Sequence, residues 1–250
     1  MAIYLKQFST HAEYDSYING SGAILPNVSI CDDTKHVHYN PYVEPTPTYD
    51  YVEIGGIKWA TMNIGANSVT DYGLYFQWGD TQGYTADQVG SGEGQKYFGW
   101  ADYKYGDEAN VTQMTKYNST DRKTVLEVSD DAATVNMGSD WRMPTKDEYV
   151  ALGNATTSAW TTDYQGVSGC NGLLLTSTAD TNVKLFFPAC GFCSNGRVLG
   201  VGSDGGCYWS SSLDIIIVQH SWGLEFSSVE VSQTHGNRYV GYSVRGVYIG

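Results

Sequence analysis

Apolar and polar positions alternate most regularly toward the end of the chain. Trp222, Leu224 and Phe226 alternate with Gly223, Glu225 and Ser227, and Val229 and Val231 alternate with Glu230 and Ser232. A period of two sends successive side chains to opposite faces of a strand. Both runs therefore predict strands with a buried aromatic or aliphatic face and an exposed mixed face. Upstream, Tyr51-Val52-Glu53-Ile54-Gly55-Gly56-Ile57-Lys58-Trp59-Ala60 predicts a hairpin turning at its glycine pair. Leu173-Leu174-Leu175 and Val183-Lys184-Leu185-Phe186-Phe187 predict paired strands, and Tyr242-Ser243-Val244-Arg245-Gly246-Val247 predicts a closing strand. Helical signals are few. Pro144-Thr145 opens one helix, with Lys146, Asp147 and Glu148 in its first turn and Tyr149, Val150 and Leu152 as apolar positions. A second follows Asp130-Asp131, whose carboxylates sit where the helix dipole favours negative charge.

The first part of the chain reads differently. Residues 11–18 predict a short helix behind a Ser9/Thr10 cap, and residues 24–30 an extended strand. Glu44-Pro45-Thr46-Pro47-Thr48 is a stiff linker, since alternating proline disfavours helix and sheet alike. The expected organisation is an extension with its linker over residues 1–48 and a folded domain over 49–250. Composition sharpens the class: 20 Tyr, 7 Trp and 29 Gly, with only 16% charged residues, disfavour a helical bundle. The prediction is α+β, with short antiparallel strands, about two helices and many loops.

Net charge is −13, which excludes nucleic acid as a partner, because phosphate binding needs clustered Lys and Arg. The acidity reads as solubility, with Ca²⁺-binding acidic loops as the alternative. No apolar run is long enough to span a bilayer, so membrane insertion is not expected. The first residues show no basic stretch followed by an apolar run, so a secretory signal is not expected either. Five cysteines are few for a disulfide framework. Cys190-Gly-Phe-Cys193 has zinc or redox spacing but lacks a second pair. The thiols read as buried and reduced, with a Cys190–Cys193 or Cys193–Cys207 bridge as the alternative. His220 and His235 read as surface residues, with a metal pair between them the sharper alternative. No cofactor and no metal are expected. No nucleophile–base motif is visible among the five histidines, so an enzyme is not expected.

Several segments carry a resemblance. They are Ile57-Lys58-Trp59-Ala60-Thr61-Met62-Asn63-Ile64-Gly65-Ala66, Tyr72-Gly73-Leu74-Tyr75-Phe76-Gln77-Trp78-Gly79-Asp80 and Trp141-Arg142-Met143-Pro144-Thr145. Leu185-Phe186-Phe187-Pro188-Ala189, Gly206-Cys207-Tyr208-Trp209-Ser210-Ser211-Ser212 and Ser243-Val244-Arg245 follow. In this order they resemble the FISUMP-type paralogous domain of bacteria and phages, a branch of the C-type-lectin-like fold, over about residues 50–250. The end of the chain is similar to the variable region of proteins diversified by a retroelement whose reverse transcriptase randomises adenines. Asn codons of the form AAC then reach Asp, Ile, Val, His, Gly, Ser, Thr and Tyr.

Within a variable region of about 207–245, the resemblance implies a ligand-binding set. It comprises Asp214, Ile215, Ile216, Ile217, Val218, His220, Gly223, Glu225, Ser232, Thr234, His235, Gly236, Val240 and Tyr242. Gln219, Glu225 and Gln233 are not reached from AAC and need other template codons or are fixed. Trp209, Ser210, Trp222, Leu224, Phe226, Arg238, Ser243 and Arg245 should form the constant scaffold. The varied positions are expected on one exposed, contiguous face, because a packed core tolerates little change of volume. Alone, Ile215-Ile216-Ile217-Val218 reads as a buried strand; within the resemblance it reads as an exposed binding patch. The implied protein is a receptor-binding or adhesion protein on a phage particle, recognising a host cell-surface protein or glycan. The N-terminal segment, similar to leaders of virion-associated proteins, would join it to other virion proteins, and a homotrimer is in keeping with phage appendages. The implied location is the virion, otherwise the extracellular space or a cell surface. The runner-up is a non-diversified decoration protein of the virion. The related formylglycine-generating enzymes need a reactive cysteine pair late in the chain, and none follows Trp209-Ser210-Ser211 here. The sugar- and Ca²⁺-binding tripeptides of animal lectins are absent from the domain.

Overall fold

The computed structural model describes residues 28–31, 36–39, 49–106 and 113–250. The chain divides into two units, Met1–Thr46 and Pro47–Gly250, and the division falls inside the proline-rich stretch. In the first unit, β1 (Val28–Cys31) and β2 (His36–Tyr39) form an antiparallel hairpin, with Val28 opposite Tyr39. The strand expected over 24–30 is thus present from Val28 onward. Residues 24–27 and the helix expected over 11–18 lie outside the described residues.

The second unit is α+β, with short and mostly antiparallel strands, two α-helices among the described residues, and long loop connections. Its first element is the anticipated hairpin of β3 (Tyr51–Ile54) and β4 (Ile57–Ala60). Gly55 and Gly56 both adopt positive φ, at 64° and 78°, which a two-residue hairpin turn of matching twist requires. Against β4 lies β16 (Val247–Tyr248), and against β16 lies β6 (Trp141–Arg142). The start and the end of the unit therefore share one sheet. A five-stranded sheet runs β14 (Val231–Asn237), β13 (His220–Phe226), β12 (Gly206–Leu213), β15 (Tyr242–Ser243) and β5 (Tyr75–Phe76). Only its β12–β15 pairing is parallel. A three-stranded antiparallel sheet joins β7 (Thr156–Thr161), β8 (Gly172–Ser177) and β9 (Lys184–Pro188), pairing the two apolar runs as expected. A small hairpin of β10 (Phe192–Ser194) and β11 (Arg197–Leu199) completes the strands.

Helix α1 (Ala132–Met137) starts at Asp131, whose carboxylate accepts from the Thr134 amide. Helix α2 (Lys146–Asn154) starts at a reciprocal cap. The Glu148 amide donates to Thr145 Oγ1 at 3.2 Å, and the Thr145 amide donates to Glu148 Oε2 at 2.8 Å. Arg142 grips the same Glu148 carboxylate with both terminal nitrogens, which ties the helix start to β6.

Two apolar clusters fill the unit. One gathers Trp78, Tyr103, Tyr105, Tyr117, Trp209 and Tyr242 around α1; the other gathers Trp59, Tyr149, Leu152, Phe187, Tyr208 and Phe226 under α2. The indoles of Trp78 and Trp209 cross-link β12 to the strand region of β5. Trp78 Nε1 donates to the Ser210 carbonyl and Trp209 Nε1 to the Phe76 carbonyl, both at 2.9 Å. The single closing strand expected over 242–247 is instead split into β15 and β16. Between them Arg245 is fully buried over the Phe187 ring and donates to Asn63 Oδ1 and to the carbonyls of Ala60 and Phe186. That guanidinium draws three sheets together, and the chain must leave one sheet for the next to deliver it.

Candidate ligand-recognition surface

The surface is built on the β13–β14 ribbon and on the loop that precedes it. An unbroken antiparallel register sets Ser221 opposite Gly236, Trp222 opposite His235, Gly223 opposite Thr234 and Glu225 opposite Ser232. Alternation along each strand then assigns the faces. His220, Trp222, Leu224, Phe226, Gln233 and His235 share the face that covers α2. Ser221, Gly223, Glu225, Ser232, Thr234 and Gly236 share the opposite face, beside Trp209 and Tyr242. The expectation of one contiguous varied face is therefore corrected: the pairing distributes the set over both faces of the ribbon. β14 is the edge strand of its sheet.

Burial corrects the set further. Asp214, Gly223, Val240 and Tyr242 are buried rather than exposed. A Cβ on Gly223 would stand 2.6 Å from the Tyr208 carbonyl oxygen, so cross-strand backbone leaves that position no room for a side chain. Tyr242 lies flat on the Trp209 indole, ring centroids 4.0 Å apart, and Val240 belongs to the same cluster. Val218, His220, Ser232, Thr234 and Gly236 are half-buried, whereas Ile215, Ile216, Ile217, Glu225 and His235 are exposed. Of the scaffold residues, Trp209, Ser210, Leu224, Phe226, Arg238, Ser243 and Arg245 are buried. Trp222 is only half-buried, beside the first residue of α2. His235 stacks on one side of its ring, and the Lys146 ammonium lies over it at 3.2 Å. Lys146 is a surface contributor that no sequence pattern marks, since only the packing of α2 brings it there. The aliphatic face expected at Val229 and Val231 is also corrected. Both are exposed, and Val229 sits in the turn outside the strand, where Ser227 Oγ accepts the amides of Val229 and Glu230.

The isoleucine loop is held from both ends. The Asp214 amide donates to the His220 carbonyl, and the His220 amide to the Ile217 carbonyl. Asp214 Oδ1 accepts the amides of Ile216 at 2.9 Å and Ile217 at 3.2 Å, an Asx turn, while its Oδ2 meets His235 Nδ1 at 2.5 Å. Burial alone would raise the Asp214 carboxyl, but the His235 contact and the two amides outweigh it and hold the group below the usual carboxylate range. Burial and the neighbouring His235 lower His220, with Asp214 and Asn237 opposing. On the far side, buried Arg238 donates to the Val218 carbonyl at 3.0 Å and stacks on Trp78. The loop presents Ile215 and Ile216 at 71% and 86% exposure on a backbone tied by hydrogen bonds at Ile216, Ile217, Val218 and His220. It is an apolar tip on a fixed base.

No family model, curated protein or solved structure matches this chain.

Three buried polar atoms on the ribbon, His220 Nδ1, Ser221 Oγ and Gln233 Oε1, have no hydrogen-bond partner within the protein. Such groups are costly to leave unpaired and are common where a ligand supplies the missing partner. Elsewhere, Cys170, Cys190, Cys193 and Cys207 are free and buried. Burial pushes the thiols of all four up, which makes them poor nucleophiles and poor metal ligands.

Proposed function

We propose that the chain is a ligand-binding protein that recognises its target through the isoleucine loop and the outer part of the β13–β14 ribbon. The observation that carries the reading is the Ile215-Ile216-Ile217 tip. Three large apolar side chains lie exposed together on a loop that Asp214, His235 and Arg238 hold in one conformation. Exposing such a tip lowers solubility unless a partner covers it, and its fixed backbone leaves little ordering entropy to lose on binding. The half-buried Trp222 with its Lys146 and His235 neighbours extends the patch on the same ribbon.

The resemblance carries the reading further, to a variable protein of a diversity-generating retroelement with a C-type-lectin-like fold. It would be displayed on a phage particle and engage a host cell-surface protein or glycan. Segregation of roles favours this: most of the proposed scaffold is buried, while the loop and half the ribbon are open. Positions open enough to vary are then Ile215, Ile216, Ile217, Val218, Glu225, Ser232 and Thr234, with His220 and His235 kept in the contact set. Asp214, Gly223, Val240 and Tyr242 are removed from the contact set by their burial, and Gly236 because a Cβ there would stand 2.5 Å from the Tyr242 hydroxyl.

Replacing Ile215, Ile216 and Ile217 together by serine separates binding from folding. Each exposed change should alter stability by no more than about 0.5 kcal/mol, so the melting temperature stays near the parent's. Loss of a central apolar anchor should weaken adsorption to the parent's target cells by roughly 30-fold or more, about 2 kcal/mol. A variant that adsorbs as well as the parent places recognition elsewhere.

A further inference from the structure

Asp214, His220 and His235 converge although they come from three separate places in the chain: the end of β12, the start of β13 and the middle of β14. A carboxylate oxygen of Asp214 and one ring nitrogen of each histidine all lie within 4.8 Å of one another. The register explains the meeting. His220 is opposite Asn237, so His235 is its diagonal neighbour on the same face, with the two rings perpendicular and 5.0 Å apart. The Asp214 carboxylate is brought underneath by the loop's own closure.

Two further observations point to a ligand for this trio. His220 Nδ1 is buried and has no partner within the protein, so this imidazole carries a ring nitrogen that the protein itself does not use. Asp214 and His235 are already drawn together at 2.5 Å, and the carboxylate is buried. Two imidazole nitrogens and one carboxylate oxygen form a donor set suited to a first-row divalent transition metal, and poorly suited to Ca²⁺ or Mg²⁺, which prefer all-oxygen surroundings.

We propose that Asp214, His220 and His235 form a binding site for a divalent transition-metal ion of the Zn²⁺ type. Tetrahedral Zn²⁺ with bonds of about 2.0–2.1 Å needs its donors roughly 3.3 Å apart, so the Asp214–His235 contact at 2.5 Å must open while no donor pair has more than 4.8 Å to close. His235 is exposed, so besides its Asp214 contact the movement is opposed mainly by its stack on the Trp222 ring. The metal replaces the Asp214–His235 hydrogen bond, whose proton is released to solvent, and it engages a ring nitrogen of His220. Three protein ligands leave a fourth position, facing the recognition surface, for water or for a donor atom of a bound partner. Bound metal would pin the isoleucine loop to the ribbon. This proposal does not depend on what the surface recognises, and its failure would leave the apolar tip as it stands.

The test is calorimetric titration of ZnCl₂ into the full chain after treatment with chelator, at pH 7.5. The parent, H220Q, H235Q and a double H36N/H38N variant are compared, the last to remove the His36-Val37-His38 histidines. The expected result is one site of micromolar or tighter affinity, kept by H36N/H38N and weakened at least tenfold by H220Q and by H235Q. Heteronuclear imidazole spectra of the parent provide a readout that does not depend on the variants folding. The His220 and His235 resonances should shift together at one equivalent of Zn²⁺. Absence of parent binding below millimolar Zn²⁺, equal affinity in H235Q, or shifts confined to other histidines would overturn the proposal.

Discussion

At the scale of single residues, the isoleucine loop is positioned by polar groups some distance behind it. Arg238 Nη1 donates to the carbonyls of both Val218 and Tyr117 and Nη2 to that of Lys116, while its Nε donates to the Tyr103 hydroxyl. Lys116 and Tyr117 are fixed in turn by Asp130, which binds the Lys116 ammonium, the Tyr117 hydroxyl at 2.6 Å and the Lys104 ammonium at 3.1 Å. Burial would raise the Asp130 carboxyl, but hydrogen bonds led by Lys116 overturn that and hold it far below the ordinary carboxylate range. The sign of the linkage follows. A depressed folded-state value contributes stability that is present above the unfolded value of about 3.9 and is lost as pH falls through the folded one. Replacement of Asp130 by Asn should cost roughly 1–3 kcal/mol near neutrality, tempered because both lysines keep contact with water. The variant should also lose less stability than the parent between pH 4 and acid, which parallel denaturant titrations across that range would read. Equal pH slopes would show that the Asp130 carboxyl is not the group responsible. Nothing in the sequence marks Asp130 as different from Asp131, since its partners lie 13 to 26 residues away.

Among the elements, what was legible in the sequence were those whose cause is local. The glycine pair at residues 55–56 and the Thr145–Glu148 cap work through neighbours in the chain, and hairpin and helix stand where expected. The ribbon was legible as a strand at β13 but not as a surface. Which side chains share a face depends on register, and register is set by the length of the 227–230 turn and by the sheet beneath. The same gap explains the misplaced valines. Val231 lies on the edge strand beyond the core, so its alternation with polar residues carries no burial. Gly223 shows how sharply the ribbon limits variation. A methyl group there meets the Tyr208 carbonyl at 2.6 Å, and main chain cannot rotate aside as a side chain can. The Gly223→Ala variant should lose about 1–3 kcal/mol in denaturant unfolding, as overpacked sites do. Thr234→Ala on the opposite strand, at a half-buried position, should lose far less. If the two variants are equally stable, the strands are not packed as closely as the register requires.

For the molecule as a whole, the decisive feature is that both ends of the second unit lie in one sheet. Val247 is opposite Trp59, which is opposite Val52, so residues near the beginning and the end of the unit close it on itself. Arg245 adds a second closure through Ala60 and Phe186. Both apolar clusters are made of residues from Tyr49 onward, and the unit begins at Pro47. A fragment starting there retains every buried aromatic named above together with both closures. Residues 47–250 should therefore unfold in one cooperative transition. Its midpoint should lie within about 4 °C of the transition seen in the full chain, equivalent to a difference near 1 kcal/mol for a unit of this size. Calorimetry on the two proteins side by side decides the matter. A broad, weakly cooperative melt of the fragment would mean that residues before Pro47 complete the core. A sharp melt combined with unchanged adsorption to target cells would assign recognition to this unit alone.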